Sequence, residues 1–167
     1  ENQKEISQKI KNIQIEDLLD RKPIILDDQS ITKQLKGKTV LITGAAGSIG
    51  SEIVRQLIAY FPAKLVLVDQ GESALYDLEY ELAGKVPTNV QLIVNVADVS
   101  DTRRVSKIFK THRPDIIFHA AAYKHVPLVE ANPMAGLANN VLSTRVVCRA
   151  ACAAGVNEVV LISTDKA

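Results

Sequence analysis

The chain has 167 residues, which is about the length of one domain and enough to bury a single core. Its net charge is +1 and no run of Lys or Arg exceeds two residues, so the composition argues against a nucleic-acid-binding surface. No stretch approaches the roughly 18 consecutive apolar residues that indicate a membrane span. We therefore expect a small-molecule partner, with no nucleic acid and no membrane contact by this segment itself.

The first 36 residues differ from the rest because they carry many charges and no aromatic residue. They predict an N-terminal arm or linker over residues 1–36, with one or two helical turns near Ile15 to Leu19 that end at Pro23. The compact domain is predicted to comprise residues 37–167.

Five short runs rich in Val and Ile follow the arm, and they are apolar on both faces, as parallel strands covered by helices are. They read KTVLIT, KLVLVD, VQLIVN, DIIFHA and EVVLIS. Helical spacing occupies residues 48–60, 72–83, 101–111 and 134–154 between them. This alternation predicts an α/β fold, a doubly wound parallel sheet of the Rossmann type with strand order 3-2-1-4-5.

The segment TGAAGSIG, residues 43–50, follows the first strand and opens a helix. In such a turn Gly44 permits the tight bend, Gly47 lets backbone amides approach a pyrophosphate, and Gly50 lets the helix pack close to the strand. Ser48 and Ile49 fall in the first helical turn, where free amides and the helix dipole favour an anion. The alternative is a purely structural turn, but the strand before and the helix after favour a dinucleotide site.

Two acids follow later strands. Asp69 ends the second strand, where a carboxylate accepts hydrogen bonds from a ribose and repels a 2′-phosphate; no Arg or Lys follows in DQGES, so NAD is predicted rather than NADP. Asp98, with Val99 beside it, follows the third strand and is predicted to bind the adenine amino group. The alternative for Asp98 is a helix cap, a role that Ser100 or Asp101 would also fill.

Several motifs resemble the extended short-chain dehydrogenases/reductases, which share the TGxxGxxG spacing and a small-residue turn after the fourth strand. That turn, here HAAA, lines the cofactor in the family and implies contacts from Ala120, Ala121 and Ala122. The segments AAAYKHVPLVEANP, NNVLST and STDKA resemble the CapD-like nucleotide-sugar 4,6-dehydratases of polysaccharide biosynthesis. The arm IEDLLDRKPIILD resembles the segment that precedes the catalytic domain in long, membrane-anchored members of that group.

The resemblance implies that this chain is the NAD-binding portion of a lyase, truncated after its fifth strand. The parent would lie at the cytoplasmic face of the bacterial inner membrane and would dehydrate UDP-N-acetylglucosamine for capsule, O-antigen or glycan biosynthesis. The family's catalytic Tyr or Met, with its Lys, would follow Ala167, so the segment alone is expected to be inactive. A sheet that ends at its fifth strand leaves an edge and an apolar face uncovered, which predicts a homo-oligomer or aggregation unless the arm covers that surface.

The polar cluster at the chain end matches the family's elimination machinery. By that match Asp165 is the acid, Lys166 is the base, and Thr164 hydrogen-bonds near the C4 hydroxyl of the sugar. Elimination across C5 and C6 of a 4-keto sugar does need a base at C5 and an acid at the departing C6 hydroxyl. The alternative is an ordinary ion pair between Asp165 and Lys166.

The loop after the fourth strand supplies further candidates. The KHVP match predicts that Lys124 and His125 face the sugar or its diphosphate; the alternative is a loop with one partly packed aromatic, Tyr123, and two solvated bases. Asn140 matches the helix asparagine that supports the active site in extended members and is assigned to the substrate region. Its alternative is the polar face of a long helix.

No metal site is predicted, since His112 and His119 lack suitable partners and are interpreted as structural. Cys148 and Cys152 are four residues apart in one predicted helix and are interpreted as reduced, buried small side chains. Two other functions stay open. A nucleotide-sugar 4-epimerase would share the cofactor site without needing the elimination acid and base, and a non-catalytic NAD-binding module would need neither.

Overall fold

The computed structural model describes residues 27–163, and its elements alternate along the chain as helices and strands. The helices are α1 (Asp28–Leu35), α2 (Ser48–Ile58), α3 (Glu72–Leu82), α4 (Thr102–His112), α5 (Val126–Ala131), α6 (Pro133–Gly136) and α7 (Ser143–Ala154). A π-helical turn, Leu137–Leu142, joins α6 to α7. The strands are β1 (Thr39–Thr43), β2 (Lys64–Asp69), β3 (Gln91–Val96), β4 (Ile116–His119) and β5 (Glu158–Leu161).

The five strands form one parallel sheet with the order β3-β2-β1-β4-β5, which confirms the predicted topology. Strand β1 lies at the centre, and Leu41 is in register with Val66 of β2 and Ile117 of β4. The chain order reverses direction between β1 and β4. In open α/β sheets the crevice at the carboxyl ends of the strands beside such a switch point is where ligands bind.

Each face of the sheet has its own core because successive strand side chains point to opposite sides. Val40, Ile42, Leu65 and Leu67 are fully buried in the core that also contains side chains of α2 and α3. The opposite core contains Leu41, Val66, Val68 and Ile117 together with side chains of α4 and α7. Coverage of both faces explains why β1 and β2 read as continuous apolar runs.

Helix α1 lies inside the stretch predicted as an arm. Leu35 is buried in the core on the α2 side, and Ile31 packs against the same core. The Tyr60 hydroxyl donates a hydrogen bond to Asp28 Oδ1 at 2.9 Å, which ties α1 to the end of α2. Residues 28–35 therefore belong to the packed domain and not to a linker, whereas the helical turns predicted near Ile15 to Leu19 lie outside the described residues.

Of the predicted helical ranges, the start of 101–111 and the end of 134–154 are confirmed. Asp101 Oδ1 accepts hydrogen bonds from the backbone N–H groups of Arg103 and Arg104 at the start of α4. Gly155 ends α7 in the left-handed conformation that glycine tolerates best. Helix α4 ends in the same left-handed conformation but without a glycine, because Arg113 has φ 46° and ψ 64°.

The single helix predicted over residues 134–154 was wrong in its first half. The structure places α6, the π-helical turn and α7 there, and α5 precedes them where no helix was predicted. The Ser143 and Thr144 hydroxyls both donate to carbonyls four residues earlier, those of Asn139 and Asn140. Side-chain donors at these carbonyls compete with the backbone N–H groups of a regular α-helix, and the π-helical turn lies at this point.

The prediction that both cysteines are buried was also wrong. Cys148 and Cys152 are free thiols on the exposed side of α7. Strand β5 likewise leaves apolar side chains exposed to solvent, namely Val159 and Leu161.

In the span 27–163, no helix is both long enough and apolar enough to cross a bilayer.

Candidate functional site

The glycine turn between β1 and α2 brings backbone segments together more closely than side chains would allow. Gly44 has φ +65°, and a Cβ on it would lie 2.6 Å from the backbone nitrogen of Ala121. A Cβ on Gly50 would lie only 2.0 Å from the carbonyl oxygen of Gly44. Both positions therefore require glycine, and the result is a cradle lined by backbone at the carboxyl end of β1.

Helix α2 points its N-terminus into this cradle. Gly47 is the N-cap and no side chain of the described residues caps it. The 11-residue helix therefore leaves its first-turn amides, beginning at Ser48, without a side-chain partner, and the positive end of its dipole lies there. This arrangement suits the diphosphate of a ligand.

The carboxylate of Asp69 is held at the end of β2 by two backbone donors. Oδ2 accepts a hydrogen bond from the N–H of Ala46 at 3.0 Å, and Oδ1 accepts one from the N–H of Gly71 at 2.9 Å. Because Ala46 belongs to the glycine turn, Asp69 also helps to hold that turn in place. Each carboxylate oxygen keeps further acceptor capacity for a ligand.

Two cavities open beside the cradle. The smaller, about 130 Å³, is lined by Asp69 and Asp98 together with Gly44 and Gly47. The larger, about 440 Å³, is lined by the first turn of α2 on one side and by Lys124 and His125 on the other. Every residue predicted to bind the cofactor lines at least one of them: Gly44, Gly47, Ser48, Ile49, Gly50, Asp69, Asp98, Val99, Ala120, Ala121 and Ala122.

The structure separates the two roles considered for Asp98. Asp101 is the residue that caps α4. Within residues 27–163, the one hydrogen bond that Asp98 Oδ1 accepts comes from the N–H of Ser100, at 2.8 Å, and the residue is exposed in the wall of the smaller cavity, with Val99 buried next to it. The cap alternative therefore belongs to Asp101, and the adenine contact stays a prediction for Asp98.

Lys124 connects the two walls of the larger cavity. Its Nζ donates a hydrogen bond to Ser48 Oγ at 3.1 Å, so the loop after β4 reaches the N-terminus of α2. His125 is the N-cap residue of α5 and makes no side-chain capping bond. Both residues are exposed in the cavity wall, and their contacts with a substrate stay predictions.

Asn140 does not point freely toward a ligand, because its amide is engaged with the backbone of Tyr123. Oδ1 accepts the Tyr123 N–H at 2.8 Å, and Nδ2 donates to the Tyr123 carbonyl at 3.0 Å. Asn140 therefore holds the loop that carries Lys124 and His125. This contact agrees with a supporting role, and direct contact with a substrate stays a prediction.

His119 at the end of β4 is buried and joins three elements. Thr144 Oγ1 donates to the Asn140 carbonyl at 2.7 Å, so it accepts the hydrogen bond that His119 Nε2 donates at 2.9 Å. Nδ1 then accepts from the Thr43 hydroxyl at 2.6 Å. Burial lowers the pKa of His119 below its ordinary value of 6.5, so the ring is neutral at pH 7 and links β1, β4 and the start of α7.

Three predicted catalytic residues, Thr164, Asp165 and Lys166, lie outside the described residues. The chain does run toward the site, because the N–H of Ile162 donates to the His119 carbonyl at 3.0 Å just beyond β5. Sequence reasoning missed Gln70, Ala97 and Asn139, which line the smaller cavity, and assigned no ligand contact to Tyr123, which lines both cavities. Only the second asparagine of NNVLST was predicted, although the two are adjacent.

Taken together, the residues fit a dinucleotide. Cβ atoms at Gly44 and Gly50 would collide with the backbone that forms the cradle, α2 offers uncapped amides for a diphosphate, and the Asp69 carboxylate is fixed where ribose hydroxyls would lie. Across residues 27–163, no cluster of three or more His, Cys, Asp or Glu is arranged to hold a metal ion. The fold and site define a Rossmann domain of the short-chain dehydrogenase/reductase type.

Comparison with known proteins identifies the family. Residues 40–167 match the model of the polysaccharide biosynthesis protein family, and the chain belongs to that family. The chain is 44% identical over 158 residues to the probable polysaccharide biosynthesis protein EpsC of Bacillus subtilis, and 41% identical over the same length to the capsular polysaccharide biosynthesis protein CapD of Staphylococcus aureus. Each match covers 95% of this chain and 26% of the relative, so the chain spans about a quarter of these proteins.

More distant relatives carry named activities. A UDP-N-acetylglucosamine 4,6-dehydratase (inverting) of Campylobacter jejuni is 33% identical over 132 residues, covering 78% of this chain and 37% of that protein. The UDP-Glc/GlcNAc 4-epimerase of Campylobacter jejuni superposes with a TM-score of 0.69 at 27% identity, over 77% of this chain and 38% of that one. The UDP-glucose 4-epimerase of Stenotrophomonas maltophila, solved with bound NAD, superposes with a TM-score of 0.66 at 26% identity over 77% and 37%.

Proposed function

We propose that this chain is the NAD-binding portion of a UDP-N-acetylglucosamine 4,6-dehydratase that acts in capsule, O-antigen or glycan biosynthesis. The observation that carries the proposal is the backbone cradle with Asp69 fixed beside it, next to a larger cavity edged by Lys124 and His125. The named activity of the Campylobacter jejuni relatives supports the dehydratase class. The family membership supports the role in polysaccharide assembly.

Each part of the proposed cofactor has residues that would hold it. The glycine turn and the first turn of α2 would hold the diphosphate, Asp69 the adenosine ribose, and Asp98 the adenine. NAD, when bound, supplies a hydride acceptor and later a hydride donor. The Asp69 carboxylate disfavours a 2′-phosphate by charge repulsion, and no Lys or Arg occurs in DQGES to compensate for it, which supports NAD over NADP.

The proton transfers are assigned to the end of the chain. A 4-keto sugar loses water across C5 and C6 when a base removes the C5 proton and an acid protonates the departing C6 hydroxyl. We assign the base to Lys166, the acid to Asp165 and a hydrogen bond near the C4 hydroxyl to Thr164. Strand β5, which precedes these residues in the chain, is parallel to β4, so its carboxyl end lies at the same sheet edge as the cradle. The resemblance also supports a parent at the cytoplasmic face of the inner membrane, and the exposed apolar side chains of β5, Val159 and Leu161, support a homo-oligomeric assembly.

The proposal is tested with the full-length protein, NAD and UDP-N-acetylglucosamine, with the product followed by mass spectrometry and NMR. Loss of one water from the sugar is the expected result. Asp165→Asn and Lys166→Met are each expected to abolish that loss while NAD binding is retained, because they remove proton transfer and not the cradle. Normal turnover by either variant would remove that residue from the mechanism.

A 4-epimerase is the second candidate, and it is favoured by the named activities of the structural neighbours. An epimerase would yield a C4 epimer with unchanged mass in the same incubation. The motif STDK opposes this candidate, since epimerisation needs no elimination acid and base. NAD binding without any turnover would instead support a non-catalytic NAD-binding module. Titration with NADP provides a separate check, because equal or tighter NADP binding would contradict the role given to Asp69.

A further inference from the structure

Tyr123 occupies a position that the proposed chemistry does not use. It follows the small-residue turn after β4 and lines both the smaller and the larger cavity. The residue is 45% exposed, although the chain around it is tightly bonded. A ligand that spans the two cavities would have to pass this residue.

The backbone of Tyr123 is held from a distant part of the chain. Asn140 bonds both its N–H, at 2.8 Å, and its carbonyl, at 3.0 Å. Asn139 Nδ2 donates to Asn140 Oδ1 at 3.1 Å, which orients the Asn140 amide. The Asn140 carbonyl in turn accepts from Thr144, the hydroxyl that also binds His119. Tyr123 is thus fixed to both β4 and α7 through its main chain, while its side chain stays open to the cavities.

We propose that the ring of Tyr123 contacts the dinucleotide where its adenosine diphosphate half meets its nicotinamide half, and that Asn140 is the positioning residue for this contact. An aromatic ring provides a large, flat apolar surface with little rotational freedom, and fixing its backbone reduces the entropy lost on binding. The contact rests on the proposed NAD site. It adds a residue to that site and assigns the Asn140 amide to the cofactor side through Tyr123.

The contact is assigned to the ring and not to the hydroxyl, since within residues 27–163 the hydrogen bonds of Tyr123 are made by its backbone and an apolar ring contact needs none from the hydroxyl. The junction of the two halves consists of ribose and diphosphate, so the ring is expected to pack on the apolar face of a ribose and not on a base. Loss of this partial contact at the junction of the two cavities is expected to weaken NAD binding about tenfold, which is about 1.4 kcal/mol.

The first test measures NAD affinity by calorimetry on the purified chain. Tyr123→Ala is expected to weaken NAD binding about tenfold. Tyr123→Leu is expected to weaken it by a smaller factor, and Tyr123→Phe by less than about twofold. Tyr76→Ala is the matched control, because Tyr76 lies on α3, is 63% exposed and lines neither cavity. Wild-type affinity in folded Tyr123→Ala or Tyr123→Leu would overturn the contact.

The second test concerns Asn140. If Asn140 acts through Tyr123, Asn140→Ala weakens NAD binding in the wild-type background but causes little further loss of affinity in the Tyr123→Ala background. Additive losses would overturn the positioning role. The same series with ADP-ribose is expected to show the same factor for Tyr123→Ala, and a loss confined to NAD would overturn the placement at the junction.

A spectroscopic readout is available because the chain contains no Trp. The indole introduced by Tyr123→Trp is expected to lose emission as NAD is added, with the midpoint that calorimetry gives, whereas Tyr76→Trp is expected to keep its emission. Unchanged emission from Tyr123→Trp while calorimetry detects binding overturns the contact but leaves the NAD site intact. Failure of the wild-type chain to bind NAD overturns both the site and the contact.

Discussion

Replacing Gly50 with alanine is expected to force helix α2 away from the glycine turn. The new Cβ would lie 2.0 Å from the Gly44 carbonyl oxygen, about 1 Å closer than Cβ contacts in real structures ever come, and 2.9 Å from the Ala45 Cα. These neighbours are backbone atoms, so no side-chain rotation relieves the overlap. Overpacking costs about 1–3 kcal/mol, and we expect about 3 kcal/mol here because two backbone segments must separate.

A loss of about 3 kcal/mol corresponds to a fall in melting temperature of roughly 10 °C for a domain of this size. Movement of α2 would also displace its first-turn amides from the cradle, so NAD affinity is expected to fall together with stability. Thermal unfolding by circular dichroism and NAD titration by calorimetry measure the two effects on the same sample.

Two other glycines provide matched controls. A Cβ on Gly71 would be 3.5 Å from Asp69 Oδ1, an ordinary contact, and φ there is −82°, so Gly71→Ala is expected to change stability by less than about 1 kcal/mol. Gly47→Ala is expected to have an intermediate effect on stability, since a Cβ on Gly47 would lie 3.2 Å from the Gly44 oxygen. Melting temperature should therefore fall in the order Gly71→Ala, Gly47→Ala, Gly50→Ala. Wild-type melting and wild-type NAD affinity in Gly50→Ala would refute the reasoning.

Two further predictions concern stability alone. Arg113→Gly is expected to raise the free energy of unfolding, measured by urea titration, by about 1 kcal/mol. The reason is that Arg113 ends α4 with φ 46°, a conformation that glycine adopts without a Cβ penalty. A destabilised variant would contradict the energetic cost assigned to Arg113 in this conformation. Burial lowers the pKa of His119 below 6.5, so the unfolded chain binds protons more readily, and stability is expected to be full above pH 6.5 and to fall as the pH decreases toward the folded pKa. His119→Gln should reduce the dependence of the free energy of unfolding on pH, measured by urea titrations at several pH values. A smaller dependence should remain from His112, because burial lowers the pKa of His112 as well. An unchanged dependence on pH would contradict the role given to His119.

Local patterns in the chain were enough to predict the sheet. The middle of KLVLVD and of KTVLIT is apolar at every position, and such short runs rich in Val and Ile are typical of strands covered on both faces. Handedness of the crossovers then leaves the observed strand order as the favoured one. The glycine turn was also readable, because its spacing lies within eight consecutive residues and its function depends on backbone geometry that only glycine allows.

Contacts between distant segments were not readable in the same way. Asn140 bonds Tyr123 across 17 residues, and the π-helical turn that carries Asn140 lies where the Ser143 and Thr144 hydroxyls donate to backbone carbonyls four residues earlier. Helical spacing alone therefore predicted one continuous helix. The buried cysteines were a similar error, since small size and low polarity indicate burial only on average, and the exposed side of α7 is defined by its packing on the sheet.

The sequence by itself thus determined the α/β class, the glycine cradle and the acid at the end of β2, because each depends on residues close together in the chain, and it determined the strand order through the handedness of the crossovers. The tertiary structure decided which side chains share a cavity. It brought Asp69 into hydrogen-bond contact with the glycine turn and Lys124 into contact with Ser48. It also placed Tyr123 between the two cavities, where Asn140 hydrogen-bonds its backbone. These arrangements arise only when the carboxyl ends of separate parallel strands meet at one edge of the sheet. The residue pattern within one segment does not indicate which residues of another segment will lie across the crevice from it.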